Sequence, residues 1–525
     1  MNNLFQLTKA AFFTNFTIGQ TKKQKRGFFA TVGLIGLILF IVSCFYNYTY
    51  SMLFAMEDAM DEYLILMFLL AGMISMMLSI FKMQSAIFKT SDYEFLESLP
   101  VSKKTIVASK ILSIYLLTFF EDIILCLPAF VFYGVETLNI YGCIVAFIGM
   151  FFVSLIPLLV ASVISFLFAL IGSKFKKSNI VTILLYLVMV LCVLFLSISL
   201  PSEQDSLGFE AIKELFGVMP QLMLLYESLS VVKWYYFVLF IVLNVLSMAL
   251  VVLLISGAYS KINSSYRYSS VRKKYTTEQV KDISIEKNLF IKEWKLITSN
   301  AMYFVNSFLG SFMGGFIAVV FYFSLNSMMA ESGVSPNEIE EIRGLFINII
   351  PMAFIFFNFI ATSTSASISF EKGNFSALKS YPLSISQIIN AKLKVAIVVP
   401  VIMNIISIII SLILFDFHWA IIIEIAVLPT LACVLNAIVG MLCGLKWAKF
   451  DYVNDTQIFK NSMATGMTMF FGFVLSLFII ASTLLNFINP IIGLIVSGSV
   501  IIILIVGAFL LLRKVQKPWF ERLVN

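Results

Sequence analysis

The chain has 525 residues, of which 60% are hydrophobic and only 12% are charged, with a formal net charge of +7 and a mean hydropathy of +0.98. Soluble domains carry about 25% charged residues, so this composition excludes a soluble globular protein, a disordered chain and a disulfide scaffold. One histidine and six cysteines without a CxxC pair disfavour a metal site or histidine-based catalysis. The sequence therefore predicts an all-α polytopic membrane protein.

About twelve apolar stretches reach the length of roughly 20 residues that a spanning helix needs. They lie near 28–50, 62–82, 106–133, 140–172, 179–200, 234–259, 301–325, 346–369, 393–415, 419–445, 462–486 and 491–512. The first stretch has full span length and lacks a cleavage site, so we expect a span and not a signal peptide. The fourth stretch is too long for one straight span, and Pro157 predicts a kink in it.

The basic residues fix the predicted orientation of the spans. Four of them precede the first span, namely Lys22, Lys23, Lys25 and Arg26. Cytoplasmic loops carry the excess of lysine and arginine, so this segment is predicted to be cytoplasmic. With alternating spans, the predicted outer loops then contain only Lys213, Lys233 and Arg343. We therefore expect a multi-pass protein of the cell membrane with both termini in the cytoplasm.

An internal repeat relates two predicted cytoplasmic loops. Residues 96–110 are LESLPVSKKTIVASK, and residues 378–392 are LKSYPLSISQIINAK, at a constant offset of 282. The shared positions are Leu96/Leu378, Ser98/Ser380, Pro100/Pro382, Ser102/Ser384, Ile106/Ile388 and Lys110/Lys392. Both copies follow the second span of their half. The repeat therefore predicts two parallel halves with six spans each.

An amphipathic segment precedes the first span of each half. Its apolar residues are Phe5, Phe12 and Phe16 beside Lys9 in the first half, and Phe290, Trp294 and Ile297 in the second. This spacing predicts a helix in the membrane interface, although a simple extension of the span is the alternative. The predicted domains are a first half at 1–259, a basic cytoplasmic linker at 260–286 and a second half at 287–525.

The repeated loop has the pattern of a short helix that ends in a sharp corner. Apolar and acidic residues alternate at helical spacing from Asp92 to Leu99, and then Pro100 follows. A residue before proline disfavours helical geometry, and Ser102 and Ser384 are suited to cap the next helix. Such a corner would transmit a push on the short helix into the attached span. An ordinary helical corner without this role is the equally weighted alternative.

The repeated loop, its place after the second span and the doubled set of six spans resemble the permeases of type-2 ATP-binding-cassette (ABC) exporters. The resemblance covers nearly the whole chain, and residues 446–451 also resemble the second cytoplasmic loop of that family. It implies that 94–102 and 375–384 are coupling helices, each seated in a groove of a separate ATPase subunit. The implied coupling residues are Glu94, Leu96, Glu97, Leu99, Pro100, Ser102, Leu378, Lys379, Tyr381, Pro382, Ser384, Lys446, Lys449 and Asp451.

The chain contains no Walker sequence GxxxxGK[ST], and no polar segment is long enough for an ATPase domain. The resemblance therefore implies a transport subunit that is not an enzyme, with ATP and Mg²⁺ bound by two copies of a partner ATPase. It also implies export of an amphiphilic substrate, such as a peptide, a lipid or a hydrophobic antibiotic. We expect no cofactor in this chain, no nucleic-acid partner, and a lipid bilayer around the spans.

Polar residues inside the spans are candidates for a substrate path, because charges there are costly. Glu121 and Asp122 lie in the third span, and the repeat places Asn404 opposite Asp122. These three residues are predicted to line the path, with paired carboxylates that only stabilise helix packing as the alternative. Glu424 lies near the start of the tenth span, and we expect it to be exposed at the membrane interface.

Two other function classes remain as alternatives. A secondary transporter with twelve spans would couple buried carboxylates to protons or sodium, with Glu121 and Asp122 as candidates. Its repeated features would be expected at the bilayer midplane, whereas here they lie in loops. A membrane enzyme is disfavoured because the single histidine, His418, lies in a tight outer turn. The outer segment 201–233 is expected to form an amphipathic hairpin or a re-entrant helix.

Overall fold

A computed structural model describes residues 2–15, 22–88, 92–173, 220–271, 284–330, 336–361, 363–450, 452, 458–459 and 462–523. These residues are nearly all helical, and no strand occurs among them. Ten helical segments in this part of the chain are long and apolar enough to cross a membrane. The predicted all-α polytopic fold is therefore confirmed. The predicted span 179–200 lies outside the described residues, as do the outer segment 201–219 and Asp451.

The chain divides into two compact units. Unit 1 comprises Met1–Thr17, Val32–Val181 and Glu203–Lys274. Its described helices are α1 (Asn2–Asn15), α2 (Lys22–Met56), α3 (Met60–Met83), α4 (Tyr93–Ser98), α5 (Lys103–Thr137), α6 (Ile140–Phe152), α7 (Leu155–Ser173), α8 (Pro220–Ser230) and α9 (Trp234–Val271). Of α2, the part from Val32 onward belongs to this unit. A π-helical turn, Gln84–Phe88, follows α3. Because α9 extends to Val271, the first residues of the predicted linker 260–286 are helical.

Unit 2 comprises Ile18–Thr31, Thr182–Ser202 and Tyr275–Asn525. Its described helices from residue 284 onward are α10 (Ile285–Ser299), α11 (Ala301–Ala330), α12 (Pro336–Ile360), α13 (Ser363–Ser367), α14 (Phe375–Ser380), α15 (Ile385–Leu414), α16 (Trp419–Trp447), α17 (Met463–Thr483) and α18 (Pro490–Arg522). Two 3₁₀ turns, Ser369–Asn374 and Leu484–Phe487, complete it. Both segments predicted to be interfacial are separate helices, α1 and α10.

The long stretch 140–172 is broken, but not at the predicted proline. The α-helix stops at Phe152 and resumes at Leu155, so Pro157 lies in the first turn of α7, where its missing N–H is tolerated. Gln221 Nε2 of α8 donates to the carbonyl of Val153 at this break, at 3.0 Å. The described part of the outer segment, α8, therefore packs beside the break between α6 and α7.

Small residues allow close helix packing in unit 2. All five residues of α13 are buried, and two glycines of α16 lie against them. A Cβ at Gly440 would lie 2.2 Å from Thr364 Oγ1, and one at Gly444 would lie 3.0 Å from the Ser365 carbonyl oxygen. Close approach through small residues is a common way for membrane helices to associate, because lipid offers no hydrophobic drive between them.

Candidate functional site

Each unit contains a short helix followed by a proline corner, which we call the first corner (residues 92–102) and the second corner (residues 374–384). The helix of the first corner, α4, has bounds 93 and 98, and that of the second, α14, has bounds 375 and 380. The repeat offset of 282 therefore holds at both ends. Leu99 and Tyr381 are extended, as expected before proline.

Both corners end in a serine that caps the following span. The backbone N–H of Thr105 donates to Ser102 Oγ, and that of Gln387 donates to Ser384 Oγ, each at 3.2 Å. In the second corner, Gln387 Oε1 also accepts from the Ser384 backbone N–H at 2.9 Å, which completes a capping box. The predicted caps are confirmed, and they fix the direction in which α5 and α15 leave the corners.

The segments that lead into the corners are not regular α-helices. In unit 1, the π-helical turn Gln84–Phe88 follows α3. In unit 2, the 3₁₀ turn Ser369–Asn374 leads into α14. Such irregular turns often mark places where a helix bends or moves. The two corners are therefore joined to their preceding spans by segments with altered helical geometry.

A buried ion-pair cluster fastens the second corner to unit 2. Lys392 of α15 places its Nζ 2.9 Å from Glu293 Oε1 of α10 and 2.7 Å from Glu371 Oε1 of the 3₁₀ turn. The Ser367 carbonyl accepts from the same Nζ at 3.2 Å. Lys292 Nζ lies 2.5 Å from Glu371 Oε1, so the cluster contains two positive and two negative groups. It joins three elements that are distant in the sequence.

The first corner has a related arrangement around Lys110, the repeat counterpart of Lys392. Its side chain is buried, and Nζ lies 3.3 Å from Asp92 Oδ1. The sequence repeat identified both lysines but not their carboxylates. The sequence does contain one sign that Glu293 has a buried partner. Glu293 lies on the same helical face as Leu289 and Ile297, and this face is otherwise apolar.

Aromatic residues at the start of each short helix anchor it to the end of a long span. Tyr93 contacts Tyr259 of α9, with ring centroids 5.7 Å apart. Phe375, its repeat counterpart, contacts Phe520 of α18 at 5.2 Å and Phe450 at 5.1 Å. Leu378 is buried beside Phe375, while Leu96 is partly buried. One face of each short helix is therefore fixed to its own unit.

The opposite faces of the corners are exposed. In the first corner, Phe95 is 67% exposed, and Glu94, Glu97, Ser98 and Pro100 are exposed as well. In the second, Tyr381 is 59% exposed, beside exposed Pro382. The first face is acidic with one aromatic side chain. The second carries an aromatic side chain and no acid.

The three lysines among the remaining predicted coupling residues differ in their exposure and contacts. Lys379 donates to the Glu521 carbonyl at 3.3 Å, and its ammonium also lies over the Phe375 ring. Lys446 is exposed, with its ammonium 4.5 Å from the Trp447 ring centroid. Lys449 is buried, and its backbone N–H donates to Ser369 Oγ at 2.9 Å. Lys379 and Lys449 thus help to hold the second corner in place.

The sequence profile of one family, described as a membrane protein of 12 TMs, matches residues 27–513. The chain belongs to this family of twelve-span membrane proteins. A search of curated proteins finds no match, and a search of solved structures finds none either. Twelve spans agree with the number predicted from the sequence.

Within this 12-TM protein, the residues predicted for a substrate path are engaged in helix contacts. Ser75 Oγ of α3 donates to Asp122 Oδ1, and Lys82 Nζ pairs with Glu121 Oε2 at 2.7 Å. In unit 2, Asn404 is fully buried and exchanges hydrogen bonds with Asn358, at 3.0 and 3.2 Å. A role for these residues in a path remains a prediction.

The expected interface exposure of Glu424 is wrong. Its side chain is fully buried, and Oε2 accepts from Asn486 Nδ2 at 2.6 Å. Asn486 lies in the 3₁₀ turn between α17 and α18. This turn covers the face of α16 that carries Glu424, so depth along the helix was a poor guide to exposure.

Proposed function

We propose that this 12-TM protein is the membrane-spanning subunit of an ABC exporter, and that two copies of a separate ATPase dock on the two corners. The duplicated corner carries the proposal. The short helices of both copies begin and end at positions related by the repeat offset, and each is followed by an extended residue before proline and by a serine cap. The helix after each corner carries a buried lysine paired with a carboxylate. A transporter driven by a pair of equal ATPase subunits needs one such docking element in each half.

One face of each corner suits docking of the ATPase, and the other suits transmission of movement to the spans. The exposed faces, with Phe95 and Tyr381, are available to a partner. The buried faces connect to the spans through aromatic contacts and ion pairs. A displacement of α14 would therefore pass to α15 through the capped corner and through Glu371 and Lys392. ATP binding by the partner subunits would move both corners and open the path for export.

The same proposal extends to substrate and location. Because the spans are rich in apolar and aromatic residues, an amphiphilic substrate such as a peptide, a lipid or a hydrophobic antibiotic suits them. Glu121, Asp122 and Asn404 are the polar positions we propose for its path. The loops with lysine and arginine, and both termini, would face the cytoplasm of the cell.

Purification from the native membrane in mild detergent tests the proposal. We expect the full chain to co-purify with an ATPase that carries a Walker sequence, and reconstituted vesicles to transport with ATP. Phe95→Ala combined with Tyr381→Ala should lose the ATPase while the chain stays folded. Trp419→Ala is the matched control, because Trp419 is also an exposed aromatic residue but is the first residue of α16, at the end predicted to face outside.

An ion-coupled secondary transporter is the second candidate, and the buried carboxylates Asp122 and Glu424 favour it. The same vesicles distinguish the two. Transport by the chain alone, with an ion gradient and no ATP, would overturn the ABC proposal and support the secondary transporter.

A further inference from the structure

Glu424 and Asn486 form an isolated polar pair inside unit 2. Asn486 Nδ2 donates to Glu424 Oε2 at 2.6 Å, and both side chains are at least 97% buried. The other two oxygens of the pair, Glu424 Oε1 and Asn486 Oδ1, have no hydrogen-bond partner within the described residues. The pair thus has two acceptor oxygens and lacks a donor for either.

The described surroundings of the pair supply no cation. Glu424 takes part in no ion pair there, and its neighbours along α16, Ile421, Ile425 and Leu428, are buried and apolar. The end of α15 and the facing ends of α17 and α18 contain no titratable residue. Arg343 Nη2 of α12 lies 3.1 Å from Asp416 Oδ2, ahead of α16. Asp416 is exposed and Arg343 is partly exposed. His418 caps α16, since its Nδ1 accepts from the Ala420 N–H.

An ionised Glu424 would not suit this environment. A carboxylate accepts hydrogen bonds and donates none, so ionisation leaves both unpartnered oxygens without a donor. A buried charge without a counter-ion is strongly unfavourable, above all within a membrane span. One proton on Oε1 removes the charge and supplies the missing donor.

We propose that Glu424 is a proton-binding site, carried as the neutral acid at neutral pH. Asn486 then donates through Nδ2 to Oε2 and accepts the Glu424 proton at Oδ1, as in a closed acid–amide pair. Gly493 makes room for this arrangement, because a Cβ there would lie 1.7 Å from Asn486 Oδ1. A proton suits the site better than a metal ion, which in the divalent case needs about six oxygen ligands.

Infrared spectroscopy of the full chain in lipid nanodiscs tests the proposal. With carbon-13-labelled glutamate at neutral pH, we expect a carboxylic-acid C=O band that disappears in Glu424→Gln. In Asn486→Ala the band should persist and move to higher frequency, because the acid loses the hydrogen bond to its carbonyl oxygen. A wild-type spectrum without any acid band, or one identical to that of Glu424→Gln, would show that Glu424 is ionised and overturn the proposal.

Thermal unfolding gives an independent measurement. Glu424→Gln keeps a neutral group with a donor, so its melting temperature should match the wild type, whereas Glu424→Ala should melt lower. If Glu424→Gln melts as low as Glu424→Ala, a neutral donor does not satisfy the site and the proposal fails. If Glu424→Gln does not fold, the wild-type band and its shift in Asn486→Ala still decide. The inference does not depend on the proposed exporter function.

Discussion

Lys392 Nζ lies 2.9 Å from each carboxylate oxygen of Glu293, and neither side chain is more than 4% exposed. The pair connects α10, predicted to lie in the membrane interface, to the long span α15. Glu371 joins the same lysine from the segment that leads into the second corner. A movement of any one of these elements must therefore move the other two or break a buried ion pair.

We predict that Lys392→Met destabilises the protein strongly. The substitution removes the buried cation and leaves the buried carboxylates of Glu293 and Glu371 with Lys292 alone, whose side chain is 39% exposed. One buried negative charge then has no counter-ion, and breaking a buried pair costs about 3–5 kcal/mol. The free energy of unfolding in mild detergent, measured by denaturant titration, checks the value.

Lys394→Met is the matched control, two residues along the same helix. Lys394 pairs with Glu286 at 2.9 Å, but its side chain is 57% exposed and that of Glu286 is 68% exposed. An exposed ion pair contributes at most about 1 kcal/mol. Equal destabilisation by the two substitutions would contradict the special role of the buried cluster.

The corners could be predicted from the sequence because local signals determine them. Proline after Leu99 and Tyr381 ends each short helix, and a serine two residues later caps the next one. The repeat offset then aligned both copies. The buried lysine of each corner was found for the same reason.

The partners of these side chains could not be predicted, because they depend on tertiary packing. Glu293 is 99 residues from Lys392 in the sequence, and no local pattern joins them. The burial of Glu424 could not be predicted for the same reason, because Asn486, which covers it, is 62 residues away in the sequence. The position of a residue along a span can be predicted from the sequence more easily than the helix that packs against that residue.

Gly440→Ala should also destabilise unit 2. The added Cβ would lie 2.2 Å from Thr364 Oγ1 and 3.2 Å from the Ser365 backbone nitrogen, so α13 or α16 must shift. Overpacking of this kind costs about 1–3 kcal/mol. Gly507→Ala is the control, since nothing lies within 4 Å of its added Cβ and alanine favours a helix over glycine by about 0.5–1 kcal/mol. The free energy of unfolding of both variants, measured in the same detergent, checks this prediction. Equal stability of Gly440→Ala and Gly507→Ala would contradict the packing argument.

The ion pair between Lys82 and Glu121 should contribute a measurable coupling energy. The Lys82 side chain is only 8% exposed, although that of Glu121 is 40% exposed, so solvent screens the pair less than it would a pair of surface charges. Lys82→Met alone should destabilise unit 1, and adding Glu121→Gln should restore part of the loss. A double-mutant cycle measures this coupling, which for contacting charges is about 0.5–3 kcal/mol. Additive effects of the two substitutions would mean that the pair contributes nothing.

Native cysteines report whether the predicted substrate path opens. Cys433 Sγ lies 3.3 Å from Asn404 Nδ2 and is buried, as is Cys443 on the same helix. If Asn404 lines a path, a small water-soluble thiol reagent should modify Cys433 during transport and not at rest, because only an open path admits water to it. Cys443 should stay unmodified in both conditions, which makes it the control for general unfolding of α16. Mass spectrometry of the labelled peptides measures both sites at once. Modification of Cys433 and Cys443 at equal rates would indicate loosening of the whole helix, and the path would then have to lie elsewhere.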